Sequence, residues 1–161
     1  MSRAQVRSQL STFLSGGNIT DLNQVFTSFP NRIDFQKDAI AGQKSRAVAV
    51  IFIENEIETR LALGGEHSGV KRIDYNVAVQ VFHHSMWDDG TKVMDDFDVT
   101  LDGIKDLLRS DHRFGDTTGT LIWQGAEPAI DVSYGVPKKI NGAATETWAA
   151  IRFTVTQIFN A

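Results

Sequence analysis

The chain has 161 residues, 42% of them hydrophobic and 22% charged, which suits one domain with a real core and is too short for two. A formal charge of −4 argues against a general nucleic-acid binder, and the absence of cysteine excludes disulfides and thiolate metal sites. No apolar run approaches the roughly 20 residues that span a bilayer, and the N-terminus lacks an apolar signal region, so a protein made and used on the cytosolic side is expected.

Ser2-Arg3-Ala4-Gln5 has the form of a capping box, a hydroxyl followed three residues later by Gln. Val6, Leu10, Phe13 and Leu14 then fall at helical spacing until Gly16-Gly17, predicting a short amphipathic helix with its stripe on a sheet. Its polar face carries only Arg3 and Arg7 as cations, too few for a membrane-surface helix. A second short helix is predicted over 21–28, capped by Thr20 with Leu22, Val25 and Phe26 inward, and ended by Phe29-Pro30. Residues 31–45 show no periodicity and read as a long loop that an assembly could order.

Two strand-like runs follow, joined by Gly64-Gly65-Glu66-His67-Ser68-Gly69. The first, over 47–63, opens apolar on both faces, with Val48, Val50 and Phe52 on one parity and Ala49, Ile51 and Ile53 on the other. It then alternates: Ile57, Thr59, Leu61 and Leu63 at odd positions, Glu54, Glu56, Glu58 and Arg60 at even ones. The second run keeps this phase, with Ile73, Tyr75, Val77, Val79 and Val81 odd, and Arg72, Asp74, Asn76, Ala78 and Gln80 even. A period of two on both sides of a glycine-rich loop predicts an antiparallel hairpin with one buried face. A strand of roughly 17 residues reaches about 55 Å, whereas a domain of this size is about 30 Å across. Either the hairpin projects with an apolar face that another molecule must cover, or the first run breaks near Asn55 into two shorter strands.

His83-His84-Ser85-Met86-Trp87-Asp88-Asp89-Gly90 connects the hairpin to a helix predicted over 91–109. Met94, Phe97, Leu101, Ile104 and Leu108 form its apolar stripe, and Asp95, Asp96, Asp98, Asp102, Lys105, Asp106 and Arg109 its wet face. Asp98–Asp102 and Asp102–Asp106 are like-charge i, i+4 pairs, each mildly destabilising. Strands are predicted over 121–124 and 129–134, flanking Glu127-Pro128, and over 145–159 after a loop spanning 135–144. In the last run Ala149, Ile151, Phe153 and Val155 share one face, and Arg152, Thr154 and Thr156 the other. The expected fold is α+β: a single domain over 1–161, with an antiparallel sheet of four strands or slightly more, a long projecting hairpin, and two to three helices on one face.

No catalytic signature stands out. His83-His84 with Asp88-Asp89, and with His67 or His112, offer metal-ligand types, but adjacent histidines on a strand point to opposite faces. No metal and no cofactor are expected. The aspartate-rich helix lacks the spacing and glycine of a calcium loop. The glycine loop at 64–69 and Gly115-Asp116-Thr117-Thr118-Gly119 lack the Lys-Ser or Lys-Thr of a phosphate loop. Trp123 and Trp148 read as core or interface residues, without the basic company that nucleic-acid stacking needs.

The N-terminal helix, the hairpin ending Gly69-Val-Lys-Arg-Ile-Asp-Tyr-Asn-Val-Ala-Val-Gln-Val-Phe-His-His84, the acidic helix closing Asp102-Gly-Ile-Lys-Asp-Leu-Leu-Arg-Ser-Asp111 and the final Glu146-Thr-Trp-Ala-Ala-Ile-Arg-Phe-Thr-Val-Thr-Gln157 resemble tail terminator proteins of long-tailed, siphovirus-type phages, closest to those infecting actinobacteria. The resemblance covers most of the chain and rests on element order and texture. It implies a structural, non-enzymatic virion protein of the tail or neck, assembled in the host cytoplasm. A ring of usually six copies would cap the tail tube, end its elongation and join it to the head connector. The implied partners are the chain itself, the major tail tube protein and a connector or stopper protein; DNA would pass through the lumen without specific binding, and no membrane is involved. Six copies of charge −4 carry about −24, which would repel a passing phosphate backbone. Candidate interface residues are Glu54, Glu56, Glu58, Arg60, Leu61, Leu63, Arg72, Ile73 and Asp74. Asp95, Asp98, Asp102 and Asp106 are candidates to line the lumen, with the Glu54–Glu58 face as the other possibility. Alternatives are a stopper or head-completion subunit on the portal side, and a small-ligand-binding domain.

Overall fold

The computed structural model describes residues 2–61, 69–117, 121–123, 130–140 and 144–160. The expectations for Leu63, for the glycine loop with His67, for Thr118-Gly119 and for the Trp123 side chain fall outside the described residues. The elements in order are α1 (Arg3–Gly16), β1 (Leu22–Phe26), β2 (Ser45–Arg60), β3 (Val70–Ser85), α2 (Gly90–Ser110), β4 (Leu121–Trp123), β5 (Asp131–Tyr134), β6 (Lys138–Ile140) and β7 (Ala144–Asn160). The fold is α+β. Its sheet, however, has seven strands among the described residues and is mixed, because β1 runs parallel to β2 while the other pairings are antiparallel.

The sheet is built on three long strands in the order β2-β3-β7, with β3 paired to β7 from Val70↔Asn160 through to Ser85↔Thr145. β1 flanks β2 on one side, and β4, β5 and β6 follow one another along the far edge of β7. The segment expected to be a loop over 135–144 contains β6. Lys138, Lys139 and Ile140 pair with the start of β7.

The short helix expected over 21–28 is instead β1. Its register slips between Leu22 and Gln24, so that Leu22 faces Ala47 and Val25 faces Ala49. An extra residue in a strand turns an apolar spacing of two into one of three, which is the spacing that a helix also shows. Asn18 and Asp21 precede it at φ 50° and φ 64°, left-handed conformations that stop a helix from continuing. Nor do residues 27–44 wait for a partner to order them. Phe29 packs on Phe52, Phe35 stacks on His84, and Gln24 Nε2 donates to the carbonyls of Asp34 and Lys37. This segment lies over the sheet face opposite the helices.

Both helices pack on one face, as the two apolar stripes require. Val6, Leu10 and Leu14 of α1 and Phe97, Leu101, Ile104 and Leu108 of α2 meet Ala47, Ala49, Ile51, Val77, Val79, Val81, Ala149, Ile151, Phe153 and Val155 in a single core. The capping box closes α1: Gln5 N–H donates to Ser2 Oγ at 3.3 Å and Ser2 N–H to Gln5 Oε1 at 2.6 Å. Asp89 caps α2 by accepting from Thr91 N–H at 2.9 Å. Beyond α2, the Asp111 carboxylate accepts from the N–H groups of Arg113 and Gly115, which hold it below the usual carboxylate range. That turn drives Phe114, at φ 52°, fully into the core between Phe13 and Phe153.

Candidate assembly surface

The long strands divide at one residue. β2 runs unbroken past Asn55, so the alternative of two separate strands is not what forms, but the register slips between Ile53 and Asn55. Ile53 faces Val77 and Asn55 faces Asn76, which leaves Glu54 as an extra residue, a β-bulge. Because side chains alternate strictly, one extra residue moves everything after it to the other face. Before the bulge the odd positions of β2 face the helices; after it the even ones do.

This corrects the expected arrangement. Glu56 and Glu58 lie opposite Tyr75 and Ile73 on the helix side, while Ile57 and Thr59 lie opposite Asp74 and Arg72 on the other. The set Glu54, Glu56, Glu58 and Arg60 is therefore not one face. Nor do Ile57 and Leu61 share a face with Ile73, which packs partly against the core.

Each carboxylate of the expected set has a basic partner within the chain. Arg3 forms a forked pair with Glu56 at 2.5 and 2.6 Å, and this hydrogen bonding holds the Glu56 carboxyl below its usual range. Lys71 Nζ meets Glu58 at 2.9 Å. Arg152 bridges Glu54 at 2.8 Å and Ser133 Oγ at 2.9 Å. Arg72 pairs with Asp74 at 2.8 Å, and Thr156 Oγ1 donates to the same Asp74 oxygen at 2.6 Å. Burial, then the nearby Glu56 charge, push the Tyr75 hydroxyl up, and it donates to Gln157 Oε1 at 3.1 Å. Exposed pairs of this kind add little stability, but they neutralise the charge that the strand would otherwise present.

Besides Asn55, Thr59 and Arg60, what stays uncovered is apolar. Ile57 is 55% exposed, Leu61 51% and Ile158 40%. Ile57 belongs to the row Ile57–Asp74–Thr156, and Ile158 to the adjacent row Thr59–Arg72–Ile158 on the same, helix-free face. Ile158 was not singled out in the sequence, although its even parity in the last strand places it there.

Asp95, Asp98, Asp102 and Asp106 all lie on the exposed side of α2, facing away from the sheet. Asp102 pairs with Lys105 at 2.7 Å and Asp106 with Arg109 at 3.4 Å; Asp95 and Asp98 have no basic partner among the described residues. Asp96, expected on the same wet face, is turned inward. It accepts from Ser45 Oγ at 2.7 Å and Trp87 Nε1 at 2.9 Å, and pairs with Lys92 at 3.1 Å. Burial alone would raise its pKa, but those three donors together bring it below the usual value.

The adjacent histidines do point to opposite faces. His83 is fully buried, stacked on Phe97 at 4.8 Å, with neither ring nitrogen hydrogen-bonded, and burial lowers its pKa to about 4. His84 stacks on Phe35, with Nδ1 3.3 Å from Glu146. Among the described residues no group of three or more His, Asp or Glu side chains converges on a possible metal position. An open groove of about 630 Å³ runs between the end of α1 and residues 40–43, but Asp21, Asn23 and Gln43 on its wall are hydrogen-bonded to one another. Among the described residues no helix is long and apolar enough to cross a membrane. No protein-family model matches the chain, and no curated protein matches it.

Proposed function

We propose that the chain is a structural ring subunit of the tail-terminator type, built to cap a phage tail tube and join it to the head connector. The observation that carries this reading is the arm formed by the distal part of β2, β3 and β7. Beyond Glu54 the edge strand β2 is exposed along its length, with Ile57, Leu61 and, on β7, Ile158 uncovered on the helix-free face, while Tyr75, Val155, Thr156 and Gln157 at the same level stay buried. Exposed apolar side chains on a long ribbon favour aggregation unless a partner covers them. A ring of identical subunits supplies that cover through two different patches on each copy, which close by rotation.

The acidic side of α2 fits the same reading as a lumen wall. Asp102 and Asp106 are offset by Lys105 and Arg109, so Asp95 and Asp98, repeated around a ring, supply the net charge that keeps a phosphate backbone in transit from sticking. Purified protein, alone or mixed with tail tubes, should give ring-shaped particles in negative stain. Monomers persisting in both conditions overturn the proposal. A pull-down against the major tail protein separates a terminator from a stopper on the portal side, which would leave the tube protein unbound.

A further inference from the structure

At the level of the distal part of β2 the sheet is four strands wide, and among the described residues nothing pairs with either outer edge. Glu56, Ile57 and Glu58 of β2 face Tyr75, Asp74 and Ile73 of β3. Those face Val155, Thr156 and Gln157 of β7, which in turn face Trp123, Ile122 and Leu121 of β4. β1 pairs only with residues 47–50 of β2, so beyond the bulge no described residue pairs with the outer edge of β2. β4 is the last strand on the other side.

The unused backbone groups can be named. Leu61 N–H donates to Val70 C=O at 2.8 Å, so Leu61 and, by alternation, Thr59 and Ile57 bond to β3. The N–H and C=O groups of Glu56, Glu58 and Arg60 therefore turn outward. Open edges are ordinarily guarded by free charges or by a covering segment. Here the Glu56 and Glu58 side chains are tied to Arg3 and Lys71 on the helix side, and the opposite side offers exposed Ile57 and Leu61.

We infer that the outer edge of β2 beyond Glu54 is a docking edge, and that its occupant is β4 of a second copy. β2 and β7 run in the same direction and β4 runs against β7, so β4 of a neighbour adds to β2 as an antiparallel strand. The two edges sit at the same level of the sheet, and each copy carries one of each. Joining them is a head-to-tail contact that can propagate around a ring. Backbone pairing supplies the affinity, and the apolar side chains of Ile57 and Leu61 gain a covering neighbour. The inference rests on the ring reading and adds to it which strands meet.

Native cysteine is absent, so a disulfide introduced at the contact reports it cleanly. Chains carrying Glu56→Cys or Glu58→Cys are mixed with chains carrying Leu121→Cys or Trp123→Cys, and oxidised under assembly conditions. A mixed dimer between the two kinds of chain is expected, since a disulfide forms only where Cα atoms come within about 7 Å. A second variant, Glu58→Pro, removes an outward N–H without touching the β2–β3 ladder. It is expected to melt within about 4 °C of the parent yet stay monomeric. If rings form but no mixed dimer appears in any combination, the edge pairing is overturned and the ring reading stands. Dimers linking only β2 to β2 replace head-to-tail pairing with a symmetric contact and likewise overturn it. If the parent forms no ring by itself or on tail tubes, both proposals fall. Should Glu58→Pro fail to fold, the cysteine pairs decide alone.

Discussion

The two halves of β2 have the same backbone and opposite fates. Before Glu54, β2, β3 and β7 are covered on one side by α1 and α2, and β2 and β3 on the other by residues 27–44; Ala49, Ile51, Val79 and Ile151 are fully buried. After it, residues 54–60 of β2 and the following Leu61 are all exposed, with apolar Ile57 and Leu61 about half uncovered, while Tyr75 and Val155 beside them stay buried. Strand pairing is equally continuous in both halves. The contrast teaches that a strand is made by its ladder, whereas a core is made by whatever is laid across it.

That contrast can be broken most strongly in the covered half. Ile151→Ala should cost about 2–5 kcal/mol, because fixed neighbours on three elements leave the cavity open; urea unfolding measures it. A cost below about 1 kcal/mol would mean that this half is not packed as described.

His83 gives a pH-dependent test of the same half. Burial holds its pKa at about 4, against about 6.5 in the unfolded chain. The unfolded state therefore binds the extra proton first, so this contribution is complete above about pH 6.5 and is lost as the pH falls toward 4. The loss amounts to about 3 kcal/mol by the lower limit. His83→Leu should flatten that part of the stability–pH curve; an unchanged acid limb would show that His83 already reaches water. Asp96→Ala should cost about 1–3 kcal/mol, since it leaves the buried Ser45–Ser85 pair and the Trp87 N–H short of an acceptor.

The uncovered half should barely register in the same assay. Ile57→Ser with Leu61→Ser should shift monomer stability by no more than about 0.5 kcal/mol while abolishing assembly. Reversing Glu54, Glu56 and Glu58 to Lys should leave melting nearly unchanged and impair assembly, as read by sedimentation. A collapse of melting in either variant would show that the arm is part of the monomer's own core.

Much of the covered half was legible from residue spacing alone. The Ser2–Gln5 capping box, the Phe97–Leu108 stripe and the alternation in β3 and β7 are local patterns, and local patterns determine local structure. What stayed hidden depends on pairing between distant segments. The slip at Leu22 and Gln24 disguised β1 as a helix. The bulge at Glu54 is invisible in β2 by itself, because only the partner strand reveals which residue is extra. The apolar residues of the arm were readable, but the face they occupy was not. The role of Asp96 was hidden too: a carboxylate in a run of acids looks solvated until Ser45 and Trp87 arrive from elsewhere in the chain.

The bulge also limits how such an arm could change over time. An insertion or deletion of one residue between Asn55 and Leu61 would rotate the remainder, trading Glu58 for Thr59 beside Ile73 and turning Leu61 toward the helices. Growth or shrinkage by two residues, matched in all three neighbouring strands, keeps every side chain on its own side. The reach of the arm is thus adjustable only in even steps, each about 7 Å, and homologues of different reach should differ in that unit.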